Sequence, residues 1–324
     1  MRARPRLFVS RCLGFDRCRY NGQTIEDDFV AALASHCDVV TACPEADTGL
    51  GVPRDPVRLA TIDGRIHMLQ PASGRDHTEA MESWCTSAAL RYSSGADMVD
   101  GAVLKSRSPS CGWKDVRHYY SSEPGVMYET GAGMFGGALV ATLCGAPVED
   151  EGRLRNFTLR EHFLSSLFAL AGFRETAATG RLGALVDYHS RNKLMFLAMN
   201  QASMRRLGKI TANAGNLPVA EIFARYRAEL GSMFSTPAKP GSIVNTALHA
   251  FGGYSEHLSP AERKLFIDTV EEYRDERLPA SALYALLKSW AVRFETVYLL
   301  GQTFLDPYPR ELVEISDSGK GRDH

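Results

Sequence analysis

Residues 98–112 read MVDGAVLKSRSPSCG, an apolar run followed by a polar turn, and the predicted fold rests on this pattern. The apolar part, 98–104, has the length of a buried strand, and the polar turn that follows ends in Cys111 and Gly112. Similar patterns predict further strands at 7–10, 38–42 and 66–70, and helices at 25–37, 78–92 and 132–144. This alternation predicts an α/β domain with an open, mainly parallel sheet and helices on its faces.

The second half of the chain has a different pattern. From about residue 151 the apolar spacing predicts only helices, at 159–171, 182–207, 219–233, 243–252, 260–276 and 279–299. Proline follows Leu217, Ser259 and Leu278, positions that suit the first turn of a helix. We therefore expect an α/β N-terminal domain over residues 1–150 and an all-α C-terminal domain over residues 151–324.

Composition and charge exclude several classes of protein. The chain has 37 basic and 38 acidic side chains, and its net charge of −1 argues against nucleic acid as a partner. The longest uncharged stretch, 130–148, contains five glycines and one proline, which favours a buried helix with a turn over a membrane span. The basic N-terminus lacks the apolar core of a signal peptide. We expect a cytoplasmic protein with no membrane partner, and a homo-oligomer remains open.

Three of the seven cysteines follow predicted strands. Cys12, Cys43 and Cys111 each lie just beyond a strand end, and the carboxyl ends of parallel strands share the edge where ligands usually bind. Three converging thiolates suit zinc or an iron–sulfur cluster. The alternative is that these cysteines are buried and inert. An odd number of cysteines argues against a disulfide framework.

The sequences around these cysteines resemble a known family. They read VSRCLG (9–14), CRYNG (18–22), CPE (43–45) and LKSRSPSCG (104–112). Over about residues 5–150 they resemble the DUF523 family, which includes the thiouracil desulfidases. The motif YHSRNK (188–193), with the methionine-rich run after it, resembles the DUF1722 domain often fused to that family. The resemblance implies a 4Fe-4S cluster held by Cys12, Cys43 and Cys111.

Removal of sulfur from a thiocarbonyl needs a group that binds the departing sulfur and a base that activates water. An open iron of the cluster would bind the sulfur. Glu45, two residues beyond Cys43, is the expected base, and its alternative is a structural role as a helix cap or as the partner of Arg19.

The remaining site residues follow from the same reasoning. Ser108 is expected to hold the water or donate to substrate, although a serine before proline also stabilises turns. We exclude Cys18 as a fourth ligand, because a fourth thiolate would close the cluster. The expected substrate-binding residues are Ser10, Arg19, Tyr20, Lys105 and Ser110.

The resemblance thus implies a non-redox desulfidase that acts on a small thiolated base such as 2-thiouracil. One alternative is a metal- or cluster-binding regulatory sensor. Another is a desulfurase of thiolated nucleosides in RNA, which would dock through residues 188–210, where five basic and no acidic side chains occur. His189 and Lys193 share one face of this helix. The same pattern also fits a solvated face over a core of methionines.

Overall fold

The computed structural model describes residues 2–121 and 126–313. The chain divides into two compact units, one comprising Met1–Phe163 with Glu311–His324 and the other Leu164–Arg310. The described strands are β1 (Arg6–Ser10), β2 (Asp38–Ala42), β3 (Arg58–Ile62), β4 (Arg65–Gln70), β5 (Arg75–Asp76), β6 (Gly101–Leu104), β7 (Val116–Tyr119), β8 (Tyr128–Gly131) and β9 (Val148–Asp150). The helices of the first unit are α1 (Asp28–Ser35), α2 (Pro44–Asp47), α3 (Thr78–Ser93) and α4 (Met134–Thr142).

A four-stranded parallel sheet organises the first unit and confirms the predicted α/β class. Its order is β2-β1-β6-β9, and β1 is central. Ser10 pairs with Ala42 and Val9 pairs with Val103, so the carboxyl ends of β2, β1 and β6 lie at one edge. The residues that follow these strand ends therefore share that edge.

A second, five-stranded sheet with the order β5-β4-β3-β7-β8 was not anticipated from the sequence. The strand predicted at 66–70 exists as β4, but its expected place in the parallel sheet is wrong, because it pairs antiparallel with β3. The cause is the turn between them. Asp63 and Gly64 have φ values of 51° and 76°, which suit a two-residue hairpin, whereas a parallel neighbour would need a crossover of a dozen or more residues.

Aromatic and aliphatic side chains fill the space between the parallel sheet and helices α3 and α4. Phe8 of β1 is fully buried, and its ring centroid lies 4.9 Å from that of Tyr92 and 5.2 Å from that of Phe135. Burial of an aromatic side chain stabilises the fold by about 1.5–3 kcal/mol. These contacts fix β1 and α4, the two elements that border the site described below.

The rest of the chain is mostly helical, as predicted. Its helices are α5 (Phe157–Ala178), α6 (Leu182–Met199), α7 (Gln201–Ala212), α8 (Val219–Met233), α9 (Pro240–Gly252), α10 (Pro260–Arg274), α11 (Ala280–Arg293) and α12 (Val297–Leu300). The single helix predicted at 182–207 is wrong, because Asn200 accepts a hydrogen bond from the Ser203 amide and caps a new helix. Within the part of the chain that the structure describes, every helix is too short or too polar to span a bilayer.

Candidate active site

Four thiols gather at the carboxyl edge of the parallel sheet. Cys12 lies two residues beyond β1, Cys43 is the N-cap residue of α2 directly after β2, and Cys111 lies in the turn that follows β6. Cys43 and Cys111 are buried, whereas Cys12 is half-buried. Cys18 is also buried, and its thiol is hydrogen-bonded to those of Cys12 and Cys43. The edge therefore carries the three predicted ligands together with a fourth thiol.

The surroundings of Cys18, Cys43 and Cys111 raise the pKa of each thiol and favour its protonated form. Burial raises the pKa of Cys111. The hydrogen bond with Cys18, with burial added to it, raises the pKa of Cys43. The hydrogen bond with Cys12 is the largest of the causes that raise the pKa of Cys18 to about 11. A metal that bound here would have to displace these protons, because thiolates and not thiols are metal ligands.

The possible metal donors at this edge are cysteine sulfur atoms. Among residues 2–121 and 126–313, no group of three or more histidine, cysteine, aspartate or glutamate side chains is arranged to hold one metal ion. A four-iron cluster makes a different demand, because each thiolate binds a different iron and the sulfur atoms stand farther apart. Soft sulfur donors from Cys12, Cys43 and Cys111 are the chemistry that such clusters use.

Arg54 holds the carboxylate of Glu45. Glu45 lies in the first turn of α2, and its Oε2 accepts hydrogen bonds from Arg54 Nε at 3.0 Å and Nη2 at 2.6 Å. Only 4% of the Arg54 side chain and 11% of the Glu45 side chain are exposed. The remaining nitrogen, Nη1, donates to the carbonyls of Cys18 at 3.0 Å and Gly51 at 2.8 Å. Arg54 therefore ties Glu45 to the segment that carries Cys18.

The partner of Glu45 is thus Arg54. The structural role considered for Glu45 from the sequence was an ion pair with Arg19. Sequence reasoning missed Arg54. The available signal was its position as the first basic residue after the CPE motif, at the end of a segment rich in glycine that closes with Pro53.

Two serines connect Glu45 to the turn that carries Cys111. Ser110 Oγ donates to Glu45 Oε1 at 2.8 Å and lies 3.0 Å from Ser108 Oγ. Since the Ser110 proton is used in the bond to Glu45, Ser108 donates to Ser110. Ser108 Oγ also accepts a hydrogen bond from the Cys111 amide at 3.1 Å. A chain of two hydroxyls therefore leads from half-buried Ser108 to the buried carboxylate.

Two other predicted site residues also lie at this edge. Ser10 is buried, accepts a hydrogen bond from the Lys105 amide at 2.9 Å and is hydrogen-bonded to the Cys111 thiol. The Lys105 ammonium forms an ion pair with Glu151, the residue that follows β9, and donates to Ser106 Oγ at 2.7 Å. Glu151 therefore balances the charge of Lys105, a residue that the sequence predicts to bind substrate.

Arg19 and Tyr20 form a pair of their own. The Arg19 guanidinium lies 5.6 Å from the centroid of the Tyr20 ring, which is 42% exposed. The Tyr20 carbonyl accepts a hydrogen bond from the Arg54 amide at 2.8 Å. The backbone of Tyr20 is therefore joined to the residue that holds Glu45, while its ring faces solvent.

The N-terminus of α4 holds the Cys111 turn. The amides of Met134 and Phe135 donate to the carbonyls of Pro109 at 3.1 Å and Ser110 at 2.9 Å. Glycine allows this close approach, because a Cβ at Gly136 would lie 2.5 Å from the Cys111 carbonyl oxygen. The position of the turn thus depends on a helix residue with no side chain.

Comparison with known proteins places both parts of the chain in families. Residues 7–151 match the family described as 2-thiouracil desulfurase. Residues 193–309 match DUF1722, a family of proteins of unknown function.

Individual relatives are similar over parts of this chain. The uncharacterised Escherichia coli K12 protein YbgA is 30% identical over 138 residues, which cover 42% of this chain and 81% of YbgA. The uncharacterised Bacillus subtilis 168 protein YbbK is 34% identical over 113 residues, which cover 33% of this chain and 72% of YbbK. A solved structure, the 4Fe-4S-dependent thiouracil desulfidase TudS, is 28% identical over 47% of this chain and 93% of TudS, with a TM-score of 0.36. Through the first of its two matched regions this chain belongs to the 2-thiouracil desulfurase (DUF523) family, and through the second to DUF1722.

Proposed function

We propose that this protein is a non-redox desulfidase that converts the thiocarbonyl of a small thiolated base, such as 2-thiouracil, to a carbonyl. Water supplies the oxygen and two protons, the carbon–sulfur bond breaks, and sulfur leaves as hydrogen sulfide, so no electrons are transferred. Membership of the 2-thiouracil desulfurase family supports this reaction class. The observation that carries the proposal is the hydrogen bond between Ser110 and Glu45, which joins two cysteine motifs 65 residues apart.

The cofactor in this proposal is a 4Fe-4S cluster on Cys12, Cys43 and Cys111. When bound, it would supply an iron that no cysteine ligates, a Lewis acid suited to the departing sulfur. Cys18 is left out of the ligand set, because a fourth thiolate would occupy the position that the substrate needs.

Glu45 is the base in this proposal. Arg54 holds Oε2 with two hydrogen bonds, which keeps the carboxylate in one orientation. The other oxygen, Oε1, accepts from Ser110 and through it communicates with Ser108. A water at Ser108 could pass its proton along the two hydroxyls to Glu45 while its oxygen attacks the carbon. Ser108 would then position the water and Ser110 would relay the proton.

Substrate binding is assigned to side chains near this chain of hydroxyls. The partly exposed ring of Tyr20 offers a face for a flat heterocycle, and Arg19 lies beside it. Ser10 and Lys105 border the Cys111 turn from the side of β1 and β6. The expected ligand is an uncharged thiolated base, since Glu151 already balances the charge of Lys105.

Anaerobic reconstitution of the full chain with iron and sulfide tests this function. The reconstituted protein should convert 2-thiouracil to uracil and release sulfide without added reductant, and the oxygen in uracil should come from labelled water. Glu45→Gln should retain its iron and lose turnover by about a hundredfold or more. Cys85→Ala, which removes a buried thiol outside the site, should retain both. A protein that holds iron but releases no sulfide from a panel of thiolated bases would instead indicate a sensor.

A further inference from the structure

An ion pair connects two of the thiol-bearing segments at the edge of the parallel sheet. Arg11 directly precedes Cys12, and Asp47 is the last residue of α2, the short helix that follows Cys43. Arg11 Nη1 donates to Asp47 Oδ1 at 2.8 Å, and Nη2 donates to Oδ2 at 3.1 Å. Only 27% and 24% of the two side chains are exposed. Two parallel hydrogen bonds fix the relative orientation of these groups, which a single contact between exposed charges does not.

Both members of this pair are also bonded to the backbone of the thiol-bearing segments. Asp47 Oδ2 accepts a hydrogen bond from the Cys43 amide at 3.3 Å, and the Asp47 amide donates to the Cys43 carbonyl at 2.8 Å. The Arg11 carbonyl accepts a hydrogen bond from the Asp16 amide at 3.0 Å, which closes the turn that contains Cys12. The pair therefore joins the turn of Cys12 to the backbone of Cys43.

The charge of the pair lies close to the thiols. The Arg11 guanidinium is within electrostatic reach of the thiols of Cys43 and Cys18. While the pair is intact, the Asp47 carboxylate compensates this positive charge. A change to either residue would leave the other charge uncompensated beside the thiols.

The two carboxylates of α2 connect this helix to different segments. Glu45 belongs to the chain of hydroxyls, and Arg54 ties it to the carbonyl of Cys18. Asp47 is tied to the segment of Cys12 instead. A substitution at Asp47 therefore leaves the contacts of Glu45 in place, so the arrangement of the thiols can be tested separately from the proposed base.

We propose that Arg11 and Asp47 are positioning residues that fix the spacing of Cys12 and Cys43 for an iron–sulfur cluster. This inference rests on the cluster proposed above. Neither residue touches substrate in this role, because both act on the backbone that carries the two cysteines. Together they also determine the charge around the cluster.

Arg11→Gln and Asp47→Asn should hold the cluster more weakly than the parent does. After anaerobic reconstitution of the full chain, the chelator concentration that removes half of the iron should fall by about tenfold to a hundredfold in each variant. This is the usual effect of losing a group that orients a metal ligand. The matched control is Asp38→Asn. Asp38 pairs with Arg4 at 2.8 Å near the amino ends of the same two strands, β2 and β1, so this variant should retain iron as the parent does.

The reduction potential of the cluster distinguishes this pair from one that only stabilises the fold. Arg11→Gln leaves the carboxylate uncompensated and should lower the potential, because negative charge disfavours the reduced cluster. Asp47→Asn leaves the guanidinium uncompensated and should raise the potential. The potential of the Asp38 variant should match that of the parent. A general loosening of the fold predicts no such opposite shifts.

Hydrogen exchange in the metal-free chain tests the positioning directly. The Cys43 amide donates to Asp47, which Arg11 orients, so this amide should exchange about tenfold faster in Arg11→Gln. That is the size expected when one hydrogen bond to a charged group weakens. The urea midpoint should stay close to that of the parent, since the pair is partly exposed.

Several results would overturn the assignment. Iron retention in the Arg11 and Asp47 variants equal to that of the parent would remove the role, as would potentials that shift in the same direction. Unchanged exchange of the Cys43 amide would contradict the backbone contact, and a large fall in the urea midpoint would assign the pair to general stability instead. A parent chain that takes up no iron would overturn this proposal together with the proposed cofactor. A parent that holds iron but releases no sulfide would overturn the proposed reaction alone.

Discussion

Adding a single methyl group at Gly136 should displace the turn that carries Cys111. Gly136 lies inside α4, and its amide donates to the Ser110 carbonyl at 3.1 Å. In Gly136→Ala the new Cβ would lie 2.5 Å from the Cys111 carbonyl oxygen, with the Gly112 carbonyl also in contact. Ordinary contact begins at 3.4 Å, and the Gly112 carbonyl oxygen is the nearer of the two, so backbone must move by about 1 Å.

The expected cost follows from two opposing effects. Overpacking of this kind destabilises by about 1–3 kcal/mol, and backbone carbonyls that are hydrogen-bonded to α4 place this case at the upper end. Replacing glycine by alanine inside a helix stabilises the folded state by about 1 kcal/mol. We therefore expect a net loss of about 2 kcal/mol. Gly137, the next residue of α4, is the matched control, because its Cβ would meet only the Ala132 Cβ at 3.2 Å. Gly137→Ala should be neutral or slightly stabilising.

Hydrogen exchange of the metal-free protein measures this loss where it occurs. Amides of residues 101–112 and 134–143 should exchange about 30-fold faster in Gly136→Ala, since each 1.4 kcal/mol corresponds to a tenfold change. The Gly137 variant should match the parent within a few-fold. Unchanged protection in the Gly136 variant, or equal loss in both variants, would refute the view that the contact between α4 and the Cys111 turn needs a residue without a side chain.

Two further substitutions test charged groups of the first unit. Arg54→Met should lower the free energy of unfolding in urea by about 3–5 kcal/mol, because it leaves the buried Glu45 carboxylate without its partner, and adding Glu45→Gln should restore part of this loss. Full stability in the single variant would show that the pair contributes nothing. Burial raises the pKa of Glu161 from its ordinary 4.5 to about 7, so its contribution to stability is complete below pH 4.5 and is lost as the pH rises through 7. Between pH 4.5 and 8 the parent should lose about 1–3 kcal/mol more than Glu161→Gln in urea titrations, whereas exposed Glu175→Gln on the same helix should follow the parent.

Local patterns were enough to predict three of the four strands of the parallel sheet and the edge that they share. The apolar runs at 7–10, 38–42 and 98–104 correspond to β1, β2 and β6, because each of these strands contains a run of apolar residues that is visible in the sequence alone. The prediction that Cys12, Cys43 and Cys111 follow strand ends rests on the same runs, and the structure has them at one edge. Their role as cluster ligands stays a prediction.

Long-range pairing explains what the sequence did not reveal. The second sheet depends on pairing between β3 and β7, which are more than 50 residues apart and have mixed burial patterns. A hairpin signal at Asp63-Gly64 was present, but it gives only the local connection. Arg54 could not be assigned to Glu45 for a related reason, since the pairing depends on how the segment 48–54 folds back on α2.

Contacts within the protein chain orient the Glu45 carboxylate and the serine hydroxyls. The same chain does not convert the cysteine thiols to the thiolates that a metal needs. Glu45 has its oxygens fixed by Arg54 and Ser110, and both contacts are between groups of this chain. The buried thiols of Cys43 and Cys111 have raised pKa values, so in the metal-free chain they are held as neutral groups that cost little to bury. A metal would convert them to thiolates and supply the positive charge that compensates for their burial. Loss of metal should therefore return the site to neutral thiols and leave the bonds from Arg54 and Ser110 to Glu45 in place. It follows that the geometry of the proposed base can be studied in the metal-free protein, separately from the electrophile.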